Sequence, residues 1–203
     1  MRKRLLAPLA AVLFTATLGA ATRPGDPPAC VVARRWVAAH RNALPTTLPA
    51  LSRQPMARRR AIYDVLPAAT RASLWRQQLE DVLRSNASLT GAQRATLREM
   101  IAQLPTLVRH NPDDAASLAL RNRLIREFGS DGYRQIFGTL GPPSAERNAS
   151  GVLLPICACD RFTPCPEGST CRIALCSGNS GCGPFWSDQC TGWCKYAVTE
   201  AER

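Results

Sequence analysis

Residues 157–194 read CACDRFTPCPEGSTCRIALCSGNSGCGPFWSDQCTGWC, and this stretch decides how the rest of the chain is organised. It holds eight of the nine cysteines: Cys157, Cys159, Cys165, Cys171, Cys176, Cys182, Cys190 and Cys194. So short a segment buries too little apolar surface to fold unaided, so covalent links must supply what a core does not. Each bridge typically contributes about 2–4 kcal/mol by restricting the unfolded chain. Eight is an even number and points to four bridges, although roughly 105 pairings satisfy that count. Cys157 and Cys159 are too close to pair easily with each other. A metal site is the competing reading, but zinc modules present close C-x₂-C pairs, often with histidine. Here the intervening counts are one, five, five, four, five, seven and three, and His40 and His110 lie far upstream. The pattern therefore points to disulfides and to no metal or other cofactor. No C-x-x-C motif is present to form a redox pair. Cys30 is the odd cysteine: free, paired between chains, or part of a bridge that displaces one of the four.

Glycines and prolines between the cysteines suit tight turns and short strands, with little regular structure expected overall. Phe185, Trp186, Trp193 and Tyr196 are a heavy aromatic load for so small a unit. Some should form its miniature core. The rest are a candidate contact surface, because amphipathic rings suit a protein partner or a membrane interface. Residues 195–203 form a tail.

Upstream, residues 141–156 begin GPPSAERNAS, a proline-rich and then small-polar run that reads as a linker or a cleavage site. Before it, residues 30–140 read as an all-α domain, because few windows alternate with period two. Helices are expected over Val31–Asn42, Met56–Leu66, Pro67–Ser85, from Thr90, from Asn111, and over Ser130–Leu140. The third carries Leu74, Trp75, Leu79, Val82 and Leu83 at helical spacing. Thr90-Gly91-Ala92-Gln93 has the capping-box form. Asn111-Pro112-Asp113-Asp114 is a start signal, and Gly129 a stop. The fold expected is an all-α N-terminal domain followed by a small disulfide-rich module.

The N-terminus explains why disulfides are plausible chemistry here. Arg2, Lys3 and Arg4 precede an apolar run from Leu5 to Ala20, and Gly19-Ala20-Ala21 supplies small residues for cleavage after Ala21. That is the secretory signal order, and it predicts a secreted protein with residues 22–29 as a short linker. The run is too short to span a bilayer, which needs about 20 apolar residues.

The formal charge is +11, and it is concentrated: residues 30–150 carry 18 basic and nine acidic side chains. A basic surface favours acidic partners such as anionic lipid or cell-wall polymer. The partners expected are thus a bacterial envelope component or an extracellular protein, with peripheral membrane contact; export argues against nucleic acid. Nothing points to an enzyme. There is no G-x-S-x-G motif, both histidines lie in the helical segment, and Glu80-Asp81 are helix neighbours facing different ways. Arg58-Arg59-Arg60 reads as a solvated face.

The elements Cys157-Ala158-Cys159, Gly181-Cys182-Gly183, Phe185-Trp186 and Cys190-Thr191-Gly192-Trp193-Cys194 together resemble the bacteriocin fulvocin C-related proteins. Cys30 shortly before Trp36, followed by Asn42-Ala43-Leu44-Pro45, is similar to the longer members. The stretch Phe162-Thr163-Pro164 departs from the pattern, in which an aromatic stands nearer the cysteine. The resemblance implies a secreted bacteriocin-like protein or precursor acting on other bacteria through its C-terminal module. The alternative is an extracellular binding or inhibitory module that stays attached to its helical domain.

Overall fold

The structure is a computed structural model that describes residues 29–109, 114–142, 169–173, 179–190 and 192–196. The expected signal segment and most of the expected linker lie outside these residues. Six helices come first: α1 (Ala29–Ala39), α2 (Leu48–Ser52), α3 (Met56–Val65), α4 (Ala68–Ser85), α5 (Gly91–Leu107) and α6 (Asp114–Phe137). A 3-10 turn over Arg41–Ala43 follows α1. The domain expected to be all-α is helical throughout its described length.

Local chemistry accounts for the boundaries. Pro67 sits at the N-cap of α4, just outside the helix, where its missing N–H is no loss. The capping box opens α5 as expected: Thr90 Oγ1 accepts from the Gln93 N–H, and Gln93 Oε1 accepts from the Thr90 N–H. Between these helices, Arg94 donates to the carbonyls of Leu83 and Asn86, both at 2.9 Å, closing the end of α4. Gly129 breaks α6 with φ 71°, so the two helices expected on either side of it form one kinked element. The periodicity gives no sign of α2, a five-residue helix whose Leu48 and Leu51 are nonetheless buried.

One core runs through the helices. Ala33 and Val37 of α1 are buried, as are Ile62 and Tyr63 of α3, and Leu74, Trp75 and Leu79 of α4. Leu97, Met100 and Leu104 of α5 and Leu124, Tyr133, Ile136 and Phe137 of α6 complete this helical part. Val32 of α1 is exposed. Among the described residues no helix is long and apolar enough to cross a membrane.

Two polar side chains tie the end of α6 back onto the bundle. Arg59 is 2% exposed. Its guanidinium donates to Gln54 O at 2.7 Å, Leu140 O at 2.9 Å, Pro142 O at 2.8 Å and Ser52 O at 2.5 Å. It thereby serves carbonyls just beyond α6 together with those at the end of α2, where a cation also meets the negative end of the helix dipole. Gln78 donates to Ile136 O at 2.8 Å and accepts from the Gly141 N–H at 2.6 Å. Gly141 has φ +82°, and a Cβ there would stand 2.5 Å from Ser52 Cβ, so only glycine fits the clamp. Two expectations are corrected. Arg59 and Arg60 are buried rather than solvated, because they serve internal partners. And Gly141 and Pro142, assigned to the linker, belong to the helical domain.

Candidate functional site

Within the described parts of the C-terminal segment there are four short strands: β1 (Ser169–Ile173), β2 (Asn179–Cys182), β3 (Asp188–Cys190) and β4 (Gly192–Tyr196). β1 and β4 pair antiparallel, with Cys171 opposite Cys194, Arg172 opposite Trp193 and Ser169 opposite Tyr196. β2 and β3 pair antiparallel, with Asn179 opposite Cys190, Ser180 opposite Gln189 and Cys182 opposite Asp188; an irregularity lies between Ser180 and Cys182. The short strands that the glycines and prolines suggested are present here, as strands of three to five residues.

The β2–β3 hairpin is the part that meets the helices. Its tip turns through Gly183 at φ 69° and a 3-10 turn over Pro184–Trp186. A Cβ on Gly183 would fall 2.0 Å from Asp188 Oδ2, so a side chain there would collide with the hairpin's own return strand. Phe185 and Trp186 have φ of 59° and 54°, in the left-handed region that bulky residues avoid. Such backbone typically costs about 1–3 kcal/mol per residue. It persists because both rings are driven into the helical core, where they are fully buried. Burying an aromatic side chain yields about 1.5–3 kcal/mol, and each edge-to-face contact about 0.5–1.5 kcal/mol more.

The contacts are specific. Phe185 meets Trp75 edge-on at 5.4 Å between ring centroids, and Phe137 at 5.5 Å. Trp186 meets Tyr63 at 5.2 Å and Trp75 at 5.9 Å, again edge-on. The Arg60 guanidinium lies 5.6 Å from the Trp186 ring centre, and Arg71 5.4 Å from that of Tyr63. Every polar atom on the rings finds a partner. Tyr63 donates its hydroxyl to Phe185 O at 2.8 Å and accepts from Trp75 Nε1 at 3.1 Å. Trp186 Nε1 donates to Gly138 O at 2.9 Å. Burial pushes the Tyr63 phenol pKa well above its usual value, so it remains a donor. Beside the rings, Ser117 Oγ in the first turn of α6 donates to Asp188 Oδ1 at 3.0 Å. The carboxylate thus lies near the positive end of the α6 dipole.

Phe185 and Trp186 were expected on a candidate contact surface. That expectation is corrected for both: they are core residues, and the core they complete is that of the helical domain. Trp193 and Tyr196 are placed by backbone register only, and their side chains lie outside the description. The missed signal was two adjacent large aromatics behind a Gly-Pro turn, which the cysteines on either side made look like property of the module.

In the covalent frame, Cys30 takes the bridged state, one of its three expected alternatives. Cys30 and Cys182 are each disulfide-bonded and are 2% and 1% exposed. Every other cysteine of the chain lies between 157 and 194. The bridge from Cys30 therefore joins α1 to the C-terminal segment, whichever cysteine it uses. Cys157, Cys159, Cys165 and Cys176 lie outside the described residues, and Cys171, Cys190 and Cys194 are described by backbone alone.

A shallow groove of about 460 Å³ opens between α2, α4 and the end of α6, lined in part by Leu48, Pro49, Val82 and Pro142. Its Ser52 and Gln78 are committed to internal hydrogen bonds. Asp81 faces Arg84 on the surface. No group of three or more histidine, cysteine, aspartate or glutamate residues suited to a metal ion occurs among the described residues. What the arrangement offers chemically is a hairpin held on a helical base by ring packing, in a segment tied covalently to α1. No family model, curated protein or solved structure matches the chain.

Proposed function

We propose that this is an exported, non-enzymatic binding protein whose bacteriocin-like C-terminal module acts while joined to its helical domain. The observation that carries this reading is the seating of Phe185 and Trp186 in the helical core. A module that worked alone would have to expose both rings to water. The Cys30 bridge supports the same conclusion, because a cut anywhere between 143 and 156 would leave the two parts covalently joined. The excess of basic over acidic side chains in the helical part suits an anionic envelope polymer or lipid headgroup as the target.

The test is intact-mass analysis of secreted material, run with and without reductant. The expected result is either an uncut mature chain or two fragments that separate only after reduction. Accumulation of a free fragment beginning near Ile156 without reductant would sink the proposal. A companion measurement is co-sedimentation of the oxidised full chain with washed bacterial cells. Retention that vanishes on reduction is expected; equal retention of a variant ending at Pro142 would show that the module does not do the binding.

A further inference from the structure

Residues 30–63 hold seven arginines and His40 but no aspartate or glutamate; Asp64, near the end of α3, is the next carboxylate. Arg59 and Arg60 turn inward. The other five lie on α1, on α3 and on the segment that joins them, and these two helices pack against each other. Arg34 and Arg35 are exposed, as is every residue from Ala38 to Ala43, Arg41 among them.

An apolar strip runs beside this charge. Val32, Trp36 and His40 follow one another at four-residue spacing, and the His40 N–H bonds back to Trp36 O at 3.1 Å, so all three share one edge of α1. Trp36 is half-buried. Its ring stacks on His40 with centroids 4.2 Å apart and planes 15° apart, and the Arg58 guanidinium of α3 lies 4.8 Å from its centre. These contacts fix the indole at the junction of the two helices. Val32 and Val65, the large hydrophobics that the described residues leave exposed, belong to the same two helices and are 45% and 54% exposed.

We propose that this edge of α1, with Arg58 of α3, is a docking surface for an anionic lipid bilayer. Arg35, Arg41 and Arg58 meet the headgroup phosphates. Trp36 sits at headgroup level, where an amphipathic indole is favoured, and Val32 leaves water at the acyl boundary. A soluble polyanion would satisfy the arginines equally well but would leave the valine in water, so the apolar strip is what selects a bilayer. The surface deepens the binding role proposed above and rests on it for the protein's place outside the cell. It adds a weak, salt-sensitive hold to whatever the module itself binds.

The test floats the oxidised full chain with vesicles of phosphatidylglycerol and phosphatidylcholine in equal parts, and with phosphatidylcholine alone. Binding to the first that falls as salt rises is expected, with little binding to the second. Arg35→Gln combined with Arg41→Gln should weaken it about tenfold or more. Arg98→Gln combined with Arg126→Gln removes the same charge from exposed sites on α5 and α6 and should leave binding within about twofold. Val32→Ser should weaken vesicle binding about threefold while leaving retention on immobilised inorganic polyphosphate unchanged. Helical circular dichroism should be the same for all three variants. Equal losses from the two arginine pairs would show attraction to net charge alone and overturn the proposal. Binding to polyphosphate but not to anionic vesicles would overturn it in favour of a polymer, and binding to neither would overturn it outright. Failure of the binding role itself shows differently, as a free module fragment or as cell retention indifferent to reduction.

Discussion

The helical bundle and the hairpin tip at 182–188 contribute to one core by opposite routes. The buried residues of α4 and α5 recur at helical spacing, and helix ends in the bundle are closed by nearby side chains such as Thr90, Gln93 and Arg94. The tip has no periodicity. It places two rings by means of positive φ at three successive positions other than proline, a glycine that no other residue can replace, and hydrogen bonds spanning up to 122 residues. Burial in the bundle follows from regular backbone, whereas burial at the tip is what makes an irregular backbone tolerable. The same free-energy source therefore stabilises one region directly and, in the other, offsets strain first.

That contrast is broken most severely by Trp186→Ala. Removing a fully buried indole from a packed site typically costs about 3–5 kcal/mol, and here it also removes the compensation for the backbone at the tip. The expected result is a loss of about 4 kcal/mol in urea unfolding, with the helical circular dichroism signal retained at low denaturant. A loss below about 1 kcal/mol would mean that the ring is not a core residue. Arg59→Met comes next, since it strips a buried guanidinium from the carbonyls of Ser52, Gln54, Leu140 and Pro142. A loss of about 3 kcal/mol is expected, with faster hydrogen exchange at the end of α6. Little change there would show that the clamp is dispensable to that helix.

Tyr63→Phe sharpens the comparison, because it keeps the ring and deletes only the hydroxyl between Phe185 O and Trp75 Nε1. Both groups would be left buried and unpaired, for about 1–2 kcal/mol. A double-mutant cycle with Trp186→Ala should show coupling, as the two rings are in contact; strict additivity would count against a shared site. The smallest effect belongs to the bundle surface. Arg123 donates to both carboxylate oxygens of Glu99, at 2.9 and 2.5 Å, and holds that carboxyl below its ordinary value of 4.5. A group whose folded pKa is lowered adds stability above its unfolded value and loses it as pH falls through the folded one. Both partners are about 40% exposed, so solvent screens the pair and Glu99→Gln should cost only about 0.5 kcal/mol at neutral pH. The difference from the parent should shrink in thermal melts as pH falls below the ordinary carboxylate range.

Much of the bundle was legible because its stabilising terms are local. The capping box, the proline before α4 and the stop at Gly129 each act within a few residues, so the sequence displays them directly. The helix α2 was not legible, since five residues are too few to show a period. The burial of Arg59 and Arg60 was hidden for a different reason: a run of three arginines looks solvated until distant carbonyls and rings are known to meet it. The same holds at the tip. The cysteine density pointed to a covalently organised segment, of whose eight cysteines Cys182 is the one described as bonded. Yet nothing near Phe185 and Trp186 announces that their environment is Tyr63, Trp75 and Phe137, because that complementarity is purely tertiary.

The distance between Tyr63 and Phe185 also sets a schedule. A ribosome adding about 5–20 residues per second finishes the helix bearing Tyr63 some 6–25 seconds before it reaches the residue whose carbonyl that tyrosine will hold, 122 positions later. Throughout that interval the nascent bundle has a vacant slot bounded by Tyr63, Trp75 and, later, Phe137. The bundle therefore stays open at that slot until the segment bearing Phe185 has been made. Its commitment to the final structure is made late, by a proline and two aromatic residues.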